Sequence, residues 1–342
     1  MRFVFLIHDY DNSKTYNCIN YAVRRSRMQF ARDWWLRQMR VNQVYGGILN
    51  IMRHCAVARS CGVDAVLATK RGHDTYGAYN LYPDLPFIRW ADRQPDDVCI
   101  VPDCVTELIN QVEGRAIAYL QSPIFVFDNF DYQDSQVALW TDSPYMKSIC
   151  QATFTKKEIQ IVPNIVDNKL FPFIPQPERE QGLVFAFPRK GAEFIAKTQE
   201  IYKAKGGNHW HFELIDGLSI HELAQQFRRP QVFLASAEIE GCALPPQESM
   251  AAGVVVVGKT ASGANFCMEH CETAMTAENP EEAAQCLIDL ENAALRDRLS
   301  HNAHQHISCY FPENDPSKFW HQIIHRYAMT TPEKIHALTA DK

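Results

Sequence analysis

The sequence lacks three features that would each place it in a different class of protein. No run approaches the roughly 20 consecutive apolar residues that span a bilayer, so no transmembrane helix is predicted. Positive charge is not in excess, because the formal net charge is −6, and this argues against a general nucleic-acid binder. The eleven cysteines include no C-x-x-C pair, so neither a disulfide framework nor a zinc site is indicated.

These absences also indicate where the protein works. Free thiols are typical of a reducing compartment, and residues 2–7 are too short for the apolar region of a signal peptide. We therefore expect a cytoplasmic protein whose residues 2–7 form a first buried strand. With 342 residues, 46% of them hydrophobic and 22% charged, the chain has an ordinary globular composition and room for two domains.

Short apolar runs recur through both halves of the chain. They lie at residues 64–69, 98–101, 116–120, 138–141, 182–187, 212–215, 232–235 and 254–257. Runs of this length, separated by helical stretches, predict parallel strands that are buried on both faces. The fold class predicted is therefore α/β, with two doubly wound parallel sheets. Residues 70–95 show no clear period and predict an irregular excursion. Residues 277–302 are strongly helical in character and predict a helix.

Candidate chemistry is concentrated in the loop that follows the run at residues 232–235. Glu240 and Gly241 end the strand side, and Glu248 lies in the first turn of a predicted helix, eight positions after Glu240. A glycine lets a ligand come close to the backbone, and the free N–H groups of a helix start favour a phosphate. The two carboxylates suit a sugar and a ribose diol. They equally suit a solvated loop residue and a charge that complements the helix dipole.

This loop resembles a known motif, whose usual form is EGFGLPxxEAMAxG. It is similar to the Glu-x7-Glu motif of retaining nucleotide-sugar glycosyltransferases with two Rossmann-like domains, the GT-B fold. The spacing of the two glutamates is intact, whereas Cys242 replaces a phenylalanine, Ala243 a glycine and Ser249 an alanine. The resemblance implies that these positions bind the nucleotide sugar: Glu240, Gly241, Cys242, Ala243, Leu244 and Glu248.

Two further segments resemble the same family in the right order. Residues 141–147 are similar to the strand and serine that start the last helix of the first domain, and residues 161–167 are similar to the interdomain segment. The second match departs from the family at Ile165, where glycine is usual. The resemblance implies an acceptor domain at residues 1–165, a nucleotide-sugar domain at 166–315 and a terminal helix at 316–342 that crosses back to the first domain.

Two adjacent cations, Arg189 and Lys190, follow the apolar run at residues 182–187. Cations at the carboxyl end of a strand are well placed to hold a diphosphate, although a solvated basic turn has the same composition. The resemblance implies that Arg189 and Lys190 contact phosphates, that Glu240 orients the donor sugar and that Glu248 holds the ribose. The leaving phosphate then helps to deprotonate the acceptor, and no separate general base is named.

Three other places are predicted to face the donor or the acceptor. Gly46 and Gly47 stand at a helix start and suit the close approach of a phosphate or a sugar, or simply a tight turn. Asp216 and Gly217 end a predicted strand where a nucleotide base could sit. Gln121 follows another strand and is predicted to contact the sugar or the acceptor.

Two segments carry alternatives. Six arginines from Arg24 to Arg40 are interleaved with Trp34 and Trp35, which suits a helix that packs on its own domain but also one that lies at a membrane interface. We favour packing, and contact with the inner membrane face stays open. The Asp9-Tyr10-Asp11 triplet has the form of a metal site, but the fold that the chain resembles uses basic side chains on the diphosphate. No metal and no cofactor are therefore predicted.

The predicted function is metal-independent, retaining transfer of a sugar from a nucleotide diphosphate donor to a hydroxyl acceptor, in glycan or exopolysaccharide assembly. UDP is favoured over GDP because UDP is the commoner donor nucleotide among the enzymes that the chain resembles. A nucleotide-sugar epimerase or hydrolase can share the fold, since fold does not fix function. A non-catalytic partner subunit, docked through its tryptophan-rich segment, is the third interpretation.

Overall fold

The structure, a computed structural model, describes residues 1–7, 46–69, 82, 84–126, 130–133, 136–310 and 316–329. The segment from Arg24 to Arg40 and the triplet from Asp9 to Asp11 lie outside the described residues. None of the described helices is long and apolar enough to span a bilayer.

The first sheet contains seven strands. They are β1 (Phe3–Leu6), β2 (Ala65–Thr69), β3 (Phe87–Arg89), β4 (Val98–Pro102), β5 (Arg115–Leu120), β6 (Ala138–Thr141) and β7 (Ile159–Ile161). All pairs are parallel, in the order β3-β2-β1-β4-β5-β6-β7. Helix α1 (Gly46–Ser60) leads into β2, a 3₁₀ helix (Asp103–Gln111) follows β4, and α2 (Pro144–Thr153) follows β6.

The second sheet contains five strands, again all parallel, in the order β12-β11-β10-β8-β9. Its strands are β8 (Leu183–Ala186), β9 (His211–Leu214), β10 (Val232–Ala235), β11 (Val255–Gly258) and β12 (Met275–Thr276). Its helices are α3 (Ala192–Ala204), α4 (Ile220–Gln226), α5 (Leu244–Ala252), α6 (Pro280–Asp289) and α7 (Ala293–Tyr310). The prediction of an α/β protein with two parallel sheets is confirmed.

Side chains alternate between the two faces of each sheet, and both faces are buried. In β1, Phe3 and Phe5 belong to one apolar cluster, whereas Val4 and Leu6 belong to the cluster on the opposite face. The strands of the second sheet divide in the same way between two clusters. This double burial explains why the strands read as continuous apolar runs rather than as alternating ones.

Local chemistry sets the helix ends near the predicted site. Ser143 caps α2 by accepting a hydrogen bond from the backbone N–H of Met146, as its sequence context predicts. Ser219 and Glu222 form a capping box at the start of α4. Helix α5 ends at Gly253, whose φ of 85° lies in the left-handed region that glycine tolerates.

Two predictions of local structure are wrong. The stretch predicted as an irregular excursion contains β3, whose residues are partly exposed at the sheet edge and so form no apolar run. The helix predicted over residues 277–302 is two helices, α6 and α7, separated at residues 290–292. The Asn292 side chain accepts backbone hydrogen bonds from Ala294 and Leu295 and so starts the second helix.

The last described helix, α8 (Pro316–Met329), packs on the first sheet. Trp320 is fully buried and meets Phe3 edge-on, with ring centroids 5.6 Å apart. It also contacts Phe5 and donates a hydrogen bond from Nε1 to Nδ1 of His54. These contacts join the two ends of the described chain, and the exact domain boundaries at residues 165 and 315 stay a prediction.

Strand order defines where a ligand could bind. Each sheet reverses its strand order at one point, between β1 and β4 in the first sheet and between β8 and β10 in the second. In open parallel sheets, ligands bind beyond the carboxyl ends of the strands at such a switch point. The two switch points bring Asp103, which follows β4, and the loops after β8 and β10 to the same cavity.

Candidate functional site

A cavity of about 410 Å³ lies between the carboxyl ends of the two sheets. Residues of both sheets line it, since it meets the ends of β4, β5 and β6 on one side and of β8 and β10 on the other. The structure brings every predicted site residue to its wall, namely Gly46, Gly47, Gln121, Arg189, Lys190, Asp216, Gly217, Glu240, Gly241, Cys242, Ala243, Leu244 and Glu248.

Arg189 and Lys190 lie in a single 3₁₀ turn (Pro188–Lys190) directly after β8. Gly191 closes this turn against Ser236, where a Cβ atom would come within 2.4 Å of the serine Cβ. Only a residue without a side chain therefore lets the cations sit this close to the end of β10. The Lys190 ammonium lies 2.6 Å from the Glu240 carboxylate, and both side chains are partly exposed in the cavity.

The motif glycine, Gly241, is in contact with the opposite domain. A Cβ atom at this position would lie 2.0 Å from the carbonyl oxygen of Gln121. The Gly241 carbonyl also accepts a 2.7 Å hydrogen bond from Ser143 Oγ. The space that its missing side chain leaves is therefore filled by the backbone of Gln121 rather than left open for a ligand.

Cys242 departs from the usual motif and is buried. Its carbonyl accepts a 3.0 Å hydrogen bond from Asn164 Nδ2, and Gln247 Nε2 lies 2.8 Å from its sulfur. Burial raises the pKa of the Cys242 thiol well above its usual value, and nearby Asp142 adds to this. The thiol is consequently a packing group and not a nucleophile at neutral pH.

The start of α5 offers fewer N–H donors than an ordinary helix start. Pro245 and Pro246 occupy the first turn, and proline has no N–H. Ala243, at the cap position, has no side chain that could cap the helix. The helix dipole still points at the cavity, but the basic side chains must supply most of the direct contacts to an anion there.

Glu248 lies in the second turn of α5 and not in the first turn as predicted, because the helix already begins at Leu244. It is almost fully buried and forms an ion pair that no sequence pattern indicates. Its Oε1 lies 3.0 Å from Nη2 of Arg53, and the two side chains are 2% and 1% exposed. Burial raises the pKa of Glu248, and the charge and hydrogen bond of Arg53 oppose that rise. The only indication of Arg53 in the sequence is its helical spacing with Asn50 and His54, three polar residues on one buried face of α1.

On the first-domain side, the two glycines and the predicted amide lie together. A Cβ atom at Gly46 would meet Leu244 at 3.2 Å, and one at Gly47 would meet Gln121 Oε1 at 3.0 Å. The backbone N–H groups of Gln121 and Ser122 each donate a 2.7 Å hydrogen bond to the Asp103 carboxylate. Asp103 therefore fixes the loop that carries Gln121.

Two acidic residues in the cavity wall are missing from the sequence prediction. Asp103 is buried, and burial raises its pKa to about 6 against the opposing backbone hydrogen bonds. Asp142 is buried as well, and its pKa is raised well above the usual value by burial and then by the charge of Asp103. Both follow the carboxyl end of a strand, β4 and β6, which is the signal that could have revealed them.

The mouth of the cavity is mixed in character. Asp216 and Gly217 are exposed there, and Asp216 Oδ1 accepts a 2.9 Å hydrogen bond from the Gly217 N–H. Ile124, Phe125 and Ile239 line the same cavity and are exposed large apolar side chains. Among the described residues, no group of three or more His, Cys, Asp or Glu side chains is placed to hold a metal ion.

Comparison with known proteins shows the fold. No family model and no curated protein matches the sequence. A sucrose-phosphate synthase from Thermosynechococcus elongatus superposes with a TM-score of 0.64 over 96% of this chain and 100% of its own, at 12% identity. HepE of Anabaena, solved in complex with UDP, gives 0.60 over 96% and 100% at 13% identity. A glycosyltransferase from Rickettsia africae gives 0.59 over 94% and 98% at 11% identity.

The arrangement that these neighbours share with this chain is two parallel α/β sheets facing a cleft. The chain therefore has the GT-B fold, as its resemblance to the Glu-x7-Glu family implies.

Proposed function

We propose that this protein is a glycosyltransferase that moves a sugar from a nucleotide diphosphate donor to a hydroxyl acceptor. One observation carries the proposal: Arg189, Lys190, Glu240 and Glu248 all line the single cavity between the two sheets. A GT-B fold alone would not be sufficient, because fold does not fix function.

The donor we favour is a UDP-sugar. HepE is solved with UDP and with UDP and glucose, and the O-GlcNAc transferase GtfA with UDP and GlcNAc. On this proposal Glu248 holds the ribose, the base lies near Asp216 and Gly217, and the diphosphate meets Arg189 and Lys190. The exposed apolar side chains at the cavity mouth leave room for an acceptor that enters beside Gln121.

The charges in the cavity suit the departure of a diphosphate. When the bond between the anomeric carbon and the phosphate oxygen breaks, negative charge develops on the diphosphate, and Arg189 and Lys190 stabilise it. The new bond to the acceptor oxygen forms on the same face of the sugar, and the acceptor proton passes to the leaving phosphate oxygen. The configuration is then retained without a metal and without a separate general base.

The Lys190–Glu240 ion pair joins the residue proposed to bind the diphosphate to the residue proposed to bind the donor sugar. Without a donor, the lysine and the carboxylate satisfy each other at 2.6 Å. A bound donor offers Lys190 a phosphate and Glu240 a sugar hydroxyl, so the two side chains exchange one partner for another of the same kind. The pair is partly exposed, so its own contribution to stability is small, and breaking it costs the donor little.

A panel of nucleotides and nucleotide sugars tests the proposal by thermal shift, with and without EDTA. We expect a selective rise in melting temperature with one nucleoside diphosphate and its sugar, unchanged by EDTA. Incubation of that nucleotide sugar with and without acceptors, followed by NMR of the anomeric proton, then identifies transfer with retention. Conversion without an acceptor would instead indicate an epimerase or hydrolase, and no binding at all would favour the non-catalytic partner.

Replacement of both cations tests the assignment of the diphosphate. Arg189→Ala with Lys190→Ala should lower kcat/KM by about 10²–10³-fold, because the charge that forms in the transition state loses its partners. The matched control is Lys205→Ala with Arg298→Ala, which removes two exposed cations outside the cavity. Equal kcat/KM in the two double variants would remove the assignment.

A further inference from the structure

Helix α1 carries three buried polar side chains that the proposed transfer does not use. Asn50, Arg53 and His54 are each at most 2% exposed. Their spacing of three and four residues places them on one face of the helix. None of the three lines the cavity wall. Polar groups buried this deeply are costly unless each has a partner, so their partners show what this face is for.

The first set of partners is the segment that connects the two sheets. Asn50 Oδ1 accepts a 3.0 Å hydrogen bond from the backbone N–H of Ile165, and Arg53 Nη1 donates to the Ile165 carbonyl at 2.6 Å. The Nε2–H of His54 donates to the Pro163 carbonyl at 2.9 Å. Helix α1 therefore holds both backbone groups of Ile165 in place, at the residue where the resembled family usually has glycine.

The second partner is the motif carboxylate. Nη2 of Arg53 donates to Oε1 of Glu248 at 3.0 Å, which is the only hydrogen bond that the described residues give this carboxylate. One guanidinium thus joins three parts of the chain: the first-domain helix, the connecting segment and the middle of α5. A lysine could supply the charge, but not two donors in a fixed planar fork.

Energetics argue that this pair does more than stabilise the fold. Desolvating two charges costs several kcal/mol per ion, so a buried ion pair gains little over apolar side chains of the same size. What the pair does provide is a fixed direction for the Glu248 carboxylate at the cavity wall. A carboxylate must be held in a narrow range of orientations to accept hydrogen bonds from a ribose diol.

We propose that Arg53 is a positioning residue of the nucleotide site: it orients the Glu248 carboxylate from the opposite domain and so sets recognition of the ribose. The inference rests on the proposed function, because it requires Glu248 to meet the ribose. Arg53 itself touches no nucleotide. Its removal leaves Glu248 buried without a partner and free to turn away from the cavity.

Discrimination between UDP and 2′-deoxy-UDP is the readout that a merely structural arginine would not change. Titration calorimetry of the full chain gives the two dissociation constants for the wild type, Arg53→Lys and Arg53→Met. We expect the wild type to prefer UDP by about tenfold or more, the effect of one hydrogen bond to a charged group. In Arg53→Met the ratio should fall to about one as in Glu248→Gln, and Arg53→Lys should be intermediate.

Arg296 provides the matched control. It is also a buried arginine, with Nη1 donating to the Leu290 carbonyl, and it lies in the second domain away from the cavity wall. Arg296→Met should lower the melting temperature and leave the UDP to 2′-deoxy-UDP ratio unchanged. If Arg53→Met does not fold, Arg53→Lys carries the test.

The outcomes separate the two proposals. A wild-type chain that binds no nucleoside diphosphate overturns the proposed function and this inference with it. A wild type that binds UDP, with the same ratio in the folded Arg53 variants as in the wild type, overturns only the role of Arg53. A wild type that binds UDP without preferring it over the deoxy form removes the ribose role of Glu248, and the inference then fails for that reason.

Discussion

At the scale of single residues, burial as well as residue type determines how readily the acidic groups of the cavity wall ionise. Asp103 and Asp142 both have raised pKa values because they are desolvated at the ends of strands. Arg189 and Lys190, by contrast, lie where solvent reaches them. The same cavity therefore combines two exposed cations in the second domain with two buried carboxyl groups in the first.

His54 gives the clearest dependence of stability on pH. Burial lowers its pKa to about 4 from 6.5, so the folded protein holds this ring neutral at pH values where the unfolded chain protonates it. The neutral ring both donates to Pro163 and accepts from Trp320. Stability is thus fully present above pH 6.5 and is lost as the pH falls toward 4.

His54→Gln should remove that dependence, because glutamine does not titrate. The stability advantage of the wild type over this variant should shrink by about 2 kcal/mol between pH 8 and pH 5, as its folded-state pKa requires. Urea unfolding at both pH values measures the difference. Parallel pH profiles for the two proteins would show that His54 is not held neutral in the fold.

At the scale of elements, the motif loop and the β5 end touch across the cleft at Gly241. The contact needs a residue without a side chain, because a Cβ atom would lie 2.0 Å from the Gln121 carbonyl oxygen and 3.2 Å from Met146 Cγ. Ser143 fixes the same loop by donating a hydrogen bond from its Oγ to the Gly241 carbonyl. The glycine therefore permits the two domains to come into contact at this point.

Gly241→Ala should hold the cleft open. The methyl group cannot be accommodated without moving the Gln121 backbone, so we expect a larger radius of gyration by small-angle scattering and a lower kcat, with little change in melting temperature. Gly206→Ala is the control for strain alone: a Cβ atom there meets nothing within 4 Å, but its φ of 87° lies in the left-handed region. We therefore expect a lower melting temperature in this variant, with the scattering profile and kcat of the wild type. A Gly241→Ala protein with the scattering profile and activity of the wild type would contradict a closure role.

At the scale of the whole molecule, the sequence predicts the sheets and the motif loop well. Apolar runs give most of the strands because both faces of each sheet are buried, and proline and glycine mark the bounds of α5. The edge strands β3, β7 and β12 are missed because each has only two or three residues, some of them partly exposed, and so forms no apolar run.

The sequence predicts only part of the site, because only part of it lies in a continuous stretch of chain. The residues from Glu240 to Glu248 follow one another within a short motif, so their spacing identifies them. Arg53, Asp103 and Asp142 meet the motif only through the fold, and Arg53 is 195 positions from its partner Glu248. No local pattern can express a pairing over that distance. Arg53 is also hard to recognise because its neighbours in α1 are mostly apolar and indicate an ordinary buried helix face.

The two ends of the described chain are joined through Trp320, and this joint should control the stability of the first domain. The indole is fully buried against Phe3 and Phe5, and it donates a hydrogen bond to His54. Trp320→Ala should lower the free energy of unfolding by about 3–5 kcal/mol, the usual cost of removing a large aromatic side chain from a core.

Trp320→Phe separates packing from hydrogen bonding. It keeps most of the apolar contact but leaves His54 Nδ1 without its donor, so we expect a loss of about 1–3 kcal/mol, the cost of an unsatisfied buried acceptor. Nucleotide affinity, measured by calorimetry, should stay unchanged in the folded Trp320→Phe protein if α8 serves the fold alone. A weaker affinity would instead show that α8 also supports the nucleotide site, through the contact of Trp320 with His54 on the same face of α1 as Arg53.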